Sequence, residues 1–433
     1  MFLQQEAGAA HAPGATNERS SGGVCAGANG GNGVKRGVSL GTNAKYDYRA
    51  QKSEQNTGEI AVYDPMVARV QRFILQSVAR SLLPKSRLDK CIRLRQKGQD
   101  ISIWHSEIHQ TAHYGGLQTC GSVWVCPVCA AKIAERRRQE LLTAIDAHRQ
   151  EGVVNLLTLT CPHQSSDILS VLLDKQAKAL KRFWSDKTVK SIFAAMGTIG
   201  QVRALEVTHG RLSPQNNGWH PHYHILMFQG IDVNQSLFNI AQMKDWQVRL
   251  YLCWANACTL AGLGEPSLEH GLKLDNGEHA AKYATKWGLE DEMTKGHTKK
   301  AIHGETPFDF LRAYLSDKND KQAAALFSEF AMTFKGKRQL HWSKGLKARY
   351  LVADKTDEVL AAETDEAVRL LGLITLAQWR DVLCQKVDCR GLILKLAVKG
   401  WDSVTAFLDS IKGQSCKNVM AESSEFLASL KNS

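Results

Sequence analysis

The chain has 433 residues, is 43% hydrophobic and 23% charged, and carries a formal net charge of +12. That mix excludes a fibrous or wholly disordered protein and leaves room for about two or three globular domains. The charge is unevenly placed: of 55 basic and 43 acidic residues, the segment 61–350 holds 39 and 26, as expected where a phosphate backbone is handled.

Residues 1–57, rich in Gly, Ala, Ser and Asn, hold too few apolar side chains to fold and read as a disordered tail. No basic-then-apolar leader precedes residue 30, and runs such as Leu370 to Leu376 fall far short of a bilayer span, so a cytoplasmic chain with no membrane partner is expected. Residues 58–150 read as a helical segment followed by a zinc-ribbon-like module and a basic helix. Asp64-Pro65 opens the first helix, ahead of Val67, Val70, Phe73, Ile74 and Val78. The basic helix runs from Ala130 through Arg136, Arg137 and Arg138 to about His148. Within 151–350, a strand (153–160), a helix (168–184), a strand (204–208), a histidine-bearing strand and a helix (237–263) predict an α+β sheet with helices packed on it. Residues 351–433 carry apolar helical patterns, including Ala367, Leu370, Leu371 and Ile374, and read as a small helical module for docking or self-association.

Eleven cysteines, scattered and odd in number, favour reduced thiols or metal ligands over a disulfide framework. Cys126-Pro-Val-Cys129 has the spacing that turns two thiolates toward one zinc ion, and Cys120 supplies a third. Cys91 is the first choice for the fourth ligand, with His105, His109 and His113 as rivals. A redox Cys-x-x-Cys is the competing reading, disfavoured by the nearby third cysteine. A structural Zn²⁺ here would fold a small ribbon and present Arg136 to Arg138 for DNA contact.

Gly218-Trp-His-Pro-His-Tyr-His-Ile-Leu-Met-Phe228 places His220, His222 and His224 at alternate positions. On a strand they share one face, where neutral imidazoles can hold a divalent cation. Asn216-Asn217-Gly218 supplies turn chemistry before it. Further on, Lys282-Tyr283-Ala284-Thr285-Lys286 puts Tyr283 and Lys286 three apart, on one face of a helix. A phenol is a poor nucleophile unless a cation and a lysine stabilise the developing charge. Six basic residues and no acid lie between Phe334 and Tyr350. With Phe334, Trp342 and Tyr350 interleaved, that composition suits phosphate contact and base stacking on single-stranded DNA.

In order, Leu156 to Thr160, Leu205-Glu206-Val207-Thr208 leading to the histidine strand, and Lys282 to Lys286 resemble the three motifs of rolling-circle plasmid replication initiators of the HUH endonuclease superfamily. Phe334 to Leu346 resembles that family's downstream segment, and the likeness covers roughly Cys120 to Arg349. It implies an antiparallel-sheet nicking domain in which His222 and His224 bind Mg²⁺ or Mn²⁺, with Glu206, or else His220, as third ligand. It implies that Tyr283 cuts one strand of origin DNA, single-stranded or hairpin, keeps the 5′-phosphate and leaves a 3′-OH, while Lys286 neutralises the phosphate. Lys335, Lys337, Arg338, Trp342 and Lys344 would contact DNA, and a host helicase and polymerase are implied partners. The chain departs from the family where a glutamate often stands four residues before the tyrosine. His279 occupies that position and Glu278 lies one residue further back, so Glu278, His279 or the downstream Glu290, Asp291 and Glu292 are the candidates for activating the terminating water, unless a second strand transfer ends the cycle. Two rival functions use the same residues: a conjugative relaxase or single-strand transposase, and a zinc-ribbon regulator that binds DNA without cutting it.

Overall fold

The computed structural model describes residues 65–230, 240–275, 304–363 and 368–413. The tail 1–57 lies outside them. Among the described residues no helix is long and apolar enough to cross a membrane.

The chain opens with helix α1 (Pro65–Leu82), whose Val70, Phe73, Ile74 and Val78 turn inward at helical spacing. Two short strands follow, β1 (Ile101–Ser106) and β2 (Thr111–Gly115), paired antiparallel. Helix α2 (Pro127–His148) starts on the cysteine motif itself: Pro127 occupies its first turn and Cys126 caps it, accepting the Cys129 N–H. Strand β3 (Gly152–Thr160), helices α3 (Leu169–Ser185) and α4 (Lys187–Ala195), strands β4 (Thr198–His209) and β5 (Trp219–Gly230), helix α5 (Ile240–Leu260) and strand β6 (Leu272–Asp275) come next. After residue 303 stand α6 (Pro307–Ser316), α7 (Lys321–Thr333), β7 (Leu340–Trp342), α8 (Leu346–Arg349) and α9 (Asp357–Ala362). The described chain ends with β8 (Arg369–Ile374), α10 (Leu376–Leu383), α11 (Arg390–Lys399) and α12 (Trp401–Ser410).

The larger sheet has the order β6-β3-β5-β4-β7, with antiparallel neighbours throughout. Its centre, β5, pairs along its whole length with β3, from Gly152 opposite Gly230 to Thr160 opposite His222. One face carries Leu157, Leu159, Tyr223, Ile225, Met227 and Leu274, buried with Phe183, Trp254, Phe327 and Phe330 of α3, α5 and α7. The opposite face carries Val154, Leu156, Val202, Leu226 and Phe228 under Leu141, Ala144 and Ile145 of α2 and Tyr350. Each such side chain contributes about 1.5–3 kcal/mol on burial, so both faces of β5 are pinned. The α+β mixture of helices and sheet expected from the periodicities is present, and the sheet is antiparallel, as the resemblance implies.

The smaller sheet corrects one expectation. Leu370 to Ile374, read as a helical stripe, form β8, which pairs with β1 in the order β2-β1-β8. A short apolar run fits helix and strand alike, and the pairing with β1 decides here; Gly372 permits it, since a Cβ there would come within 2.3 Å of the Trp401 ring. Ile101, Ile103 and Ala112 thereby share a core with Ile374, Trp379, Ile393, Leu394 and Val404. The cysteine-bearing segment and the C-terminal segment form one layered unit, not a ribbon and a separate helical module. Cys384, at the end of α10, is disulfide-bonded, a departure from the reduced thiols or metal ligands that the odd cysteine count favours.

A buried ion pair locks that unit together. Arg390 donates through Nε and Nη2 to Asp388 at 2.9 and 2.5 Å, and through Nη1 to the Ile92 carbonyl at 2.8 Å. Ser77 of α1 donates to the same carboxylate at 2.6 Å, and the Asp388 carboxyl is held below its ordinary range by Arg390 despite its burial. Truncating Arg390 to Met should cost about 3–5 kcal/mol by leaving a buried carboxylate uncompensated. The Arg390→Met, Asp388→Leu double variant should lose less, and urea denaturation of both would show the order.

Candidate functional site

Alternation along β5 places His222 and His224 on the face that, two residues further along, becomes the apolar surface under α2. The β4 register sets Glu206 opposite His222 and Ala204 opposite His224. The small Ala204 leaves room for one carboxylate oxygen, Glu206 Oε2, to sit 3.0 Å from His222 Nε2 and 3.1 Å from His224 Nε2. The three ligand atoms lie within 4.8 Å of one another. From β3, the Thr158 hydroxyl lies 3.2 Å from His224 Nδ1, fixing the ring so that Nε2 faces the carboxylate. His222 Nδ1 is buried and has no hydrogen-bond partner among the described residues. Glu206 is the most open of the three, with 35% of its side chain exposed against 15% and 13% for the imidazoles, so an incoming group would approach from its side. One carboxylate and two imidazoles form a donor set that suits a divalent cation with open positions.

His220 is not a member of this set. Its ring stacks on His163 at 4.7 Å, and burial, then the neighbouring His222 and His163, hold it down to about 4. Of the two candidates for third ligand, the geometry brings Glu206 to the imidazoles. Upstream, Gly218 (φ +73°) turns the chain into β5 where a Cβ would meet the Gln164 carbonyl at 2.6 Å. Tyr283, Lys286 and Glu278 lie outside the described residues, as does His279; the described chain stops at Asp275 and resumes at Gly304.

The second cluster is the cysteine group. Cys91, Cys120, Cys126 and Cys129 are all buried and offer their sulfurs to one point. The Sγ···Sγ distances are 3.8 Å (Cys91 to Cys126), 3.5 Å (Cys91 to Cys129) and 3.6 Å (Cys120 to Cys129). A tetrahedron with metal–sulfur bonds near ~2.3 Å has edges of ~3.8 Å, so the spacing suits a metal such as zinc. Cys91, and not His105, His109 or His113, completes the four. The Cys120 N–H points at Cys91 Sγ, the Cys129 N–H at Cys126 Sγ, and the Gln76 amide at Cys126 Sγ from 3.1 Å, all donors that favour thiolates. Crowding by the other three sulfurs, then burial, pushes the Cys120 thiol far up, so that thiol ionises only beside a cation.

The expected DNA-contacting arginines are corrected by the structure. Arg136 pairs with Glu363 at 2.7 Å, Arg137 with Glu140 at 2.9 Å and Asp357 at 2.8 Å, and Arg138 with Glu135 at 2.5 Å. At 11, 14 and 7% side-chain exposure they present little to solvent; Arg136 and Arg137 tie α9 and the residue after it to α2, and Arg138 pairs within α2. In the downstream segment Lys335, Arg338 and Lys344 are exposed, with Lys337 and Trp342 half-buried. Phe334 and Tyr350, expected to stack on bases, are core residues instead. Thr158 and His163 were missed by sequence reasoning. The parity of Leu157-Thr158-Leu159-Thr160 was a signal for Thr158, because its threonines fall on the polar side of a strand, whereas His163 stands in a loop with no periodicity to mark it.

Residues 116–260 match a family described as "Replication protein". That span holds Cys120, Cys126, Cys129, Glu206, His222 and His224. Over that span the chain is similar to plasmid replication proteins. It is 26% identical over 341 residues to "Protein rep" of Streptomyces lividans, covering 63% of this chain and 74% of that protein. It is 34% identical over 140 residues to a "Neomycin resistance protein" of Streptomyces cyanogenus, 27% of this chain and 31% of that one. No solved structure matches. These likenesses support a plasmid replication initiator that binds origin DNA.

Two outcomes test these sites. Metal analysis of the purified protein should find about one tightly held zinc per chain, lost with most of the thermal stability in Cys126→Ser, because a structural zinc contributes folding free energy. Thr158→Val should weaken Mn²⁺ binding about 10–100-fold by calorimetry while leaving zinc in place, the size of effect found for hydrogen-bond partners of metal ligands.

Proposed function

We propose that this chain starts rolling-circle replication as an HUH-type nickase, cutting one strand of the plasmid origin in the cytoplasm. The observation that carries this reading is Glu206 Oε2 seated between His222 Nε2 and His224 Nε2 on an open sheet face. Three donors so placed suit Mg²⁺ or Mn²⁺, which when bound would supply Lewis acidity and orient the scissile phosphate. The Tyr283 phenolic oxygen attacks phosphorus, forming an O–P bond and losing its proton to solvent. The bond from phosphorus to the 3′-oxygen breaks, and that oxygen takes up a proton to become the 3′-OH a polymerase extends. Lys286, three residues from Tyr283, neutralises charge on the phosphate. Glu278 is the acid assigned to water activation when the phosphotyrosine is resolved. The four-cysteine site holds structural Zn²⁺, and the exposed Lys335, Arg338 and Lys344 with Lys337 and Trp342 guide the single strand. A host helicase and polymerase follow the nick.

Incubation of the protein with end-labelled single-stranded DNA carrying its origin, with Mn²⁺ or with EDTA, tests this on a denaturing gel. Wild type should form a Mn²⁺-dependent covalent adduct; Tyr283→Phe should form none, and His222→Ala with His224→Ala should cut at least about 10³-fold more slowly, a loss of ~4 kcal/mol of transition-state stabilisation. Tight origin binding with no adduct under any metal would overturn the nickase and leave a DNA-binding regulator.

A further inference from the structure

Along one row of the larger sheet the side chains change character at the last two strands. Leu274 of β6, Leu157 of β3 and Ile225 of β5 stand opposite one another and belong to the core under α3, α5 and α7. The row continues with Arg203 of β4, opposite Ile225, and His341 of β7, opposite Arg203. Facing residues of paired strands project to one side, so a half-buried arginine and an exposed histidine carry the apolar row out to the rim. This is the face turned away from His222 and His224.

Tyr223, on the neighbouring strand, holds Arg203 from one side: the guanidinium carbon lies 5.4 Å from the centroid of its ring. Such a contact orients a guanidinium and leaves its N–H groups unused. Among the described residues no carboxylate or carbonyl accepts from Arg203. Burial holds its guanidinium below the ordinary value, with Tyr223 alone acting the other way. Desolvation, then Arg203 and Arg338, push the His341 imidazole down, and no acid opposes them. Asp354, the acid that the field of Arg338 reaches, is already paired with Lys347 at 3.1 Å. Basic groups set directly opposite one another on a sheet repel, so this pairing costs stability unless an anion joins it.

A guanidinium presents two parallel N–H groups that match a phosphate, and a neutral imidazole beside it adds a third donor. Arg338 and Lys344, exposed cations of the segment assigned to the single strand, stand before and after β7 in sequence. We infer that Arg203 and His341 bind a backbone phosphate of single-stranded DNA at the β4–β7 rim, on the face of the sheet opposite the histidine site. It is a different phosphate from the one that is cut. Since β7 is last in the strand order, a strand bound on both faces passes round that edge. The inference rests on the strand-guiding role proposed for the segment around β7 and is independent of the nicking chemistry.

The test uses full-length Tyr283→Phe protein, so that binding is read without any cleavage. Fluorescent oligothymidine of about twelve residues, within the span of common single-strand sites, is followed by anisotropy at several salt concentrations. Arg203→Gln should weaken binding about tenfold, as for loss of a charge-assisted hydrogen bond. It should also flatten the plot of log affinity against log salt by about 0.7, the share of one phosphate on a single strand. Arg203→Lys should keep that slope and lose about threefold, since an ammonium keeps the charge and not the fork. His341→Ala, at an exposed side chain, should weaken binding about threefold and carries the test should Arg203→Gln fail to fold. Lys399→Gln removes an exposed cation at the end of α11, in the unit of the smaller sheet, and should stay within about twofold. Zinc content and circular dichroism identify folded protein. Folded Arg203 and His341 variants that keep both affinity and slope, or a loss in Lys399→Gln equal to that in Arg203→Gln, would overturn the inference while the strand-guiding role stands. Tyr283→Phe protein that binds no oligothymidine at all would overturn both.

Discussion

The register between β4 and β5 is the constraint on which the site depends. Glu206 reaches both imidazoles only because it stands opposite His222 with Ala204 opposite His224. A slip of one residue would turn the whole histidine row to the other face. What prevents the slip is the alternate set, Tyr223, Ile225 and Met227, buried against α3, α5 and α7, together with Leu226 and Phe228 under α2. The apolar residues of β5 therefore hold the ligand geometry, and the donors themselves need contribute little to folding. This division suits a site that must stay partly open: Glu206 is left exposed on its outer side while the strands that carry it are fixed from beneath.

Helix α2 links this sheet to the cysteine unit. Its first turn supplies Cys129 and the cap Cys126, and its last turns supply Leu141, Ala144 and Ile145 to the cover of the sheet. Arg136 and Arg137, between those ends, bind the residue after α9 and the first turn of α9. At its far end His148 is wholly buried, 2.7 Å from the Gln229 carbonyl and 2.6 Å from the Tyr350 hydroxyl. A metal that fixes the start of α2 therefore also fixes the orientation of a helix that reaches the end of β5. Tyr350 in turn anchors the end of the basic segment against the same helix, so Lys344 and Lys335 project from a supported strand and turn and not from a loose tail.

Much of this was legible in the sequence, for reasons that vary from residue to residue. Histidines at 220, 222 and 224 force a shared face once the segment is a strand, and the two-residue gap of Cys126 and Cys129 limits what they can do. Those are local constraints. The fourth sulfur, Cys91, was reachable by counting; its confirmation as a neighbour needed the turn after α1 that carries it. Strand β8 was misread because Leu370 to Ile374 has no period that separates helix from strand, and only its pairing with β1, more than 260 residues earlier by number, gives it a form. The arginine run failed for a related reason. Three consecutive arginines on a helix point in three directions about 100° apart, and here acids from 135, 140, 357 and 363 meet all three. A charge run states how much charge a helix carries, while the partners that neutralise it arrive from distant segments.

The same argument separates the two basic regions of the molecule. Around Arg136 to Arg138 the cations have carboxylates within 3 Å, so the local potential is close to neutral and little remains for a phosphate. Lys335, Arg338 and Lys344 of the downstream segment stand exposed instead. Net charge by segment does not distinguish them, since both lie within the same basic stretch of the chain. The distinction comes from burial against acids that arrive from distant segments, and it leaves Lys335, Arg338 and Lys344 as the basic side chains turned to solvent.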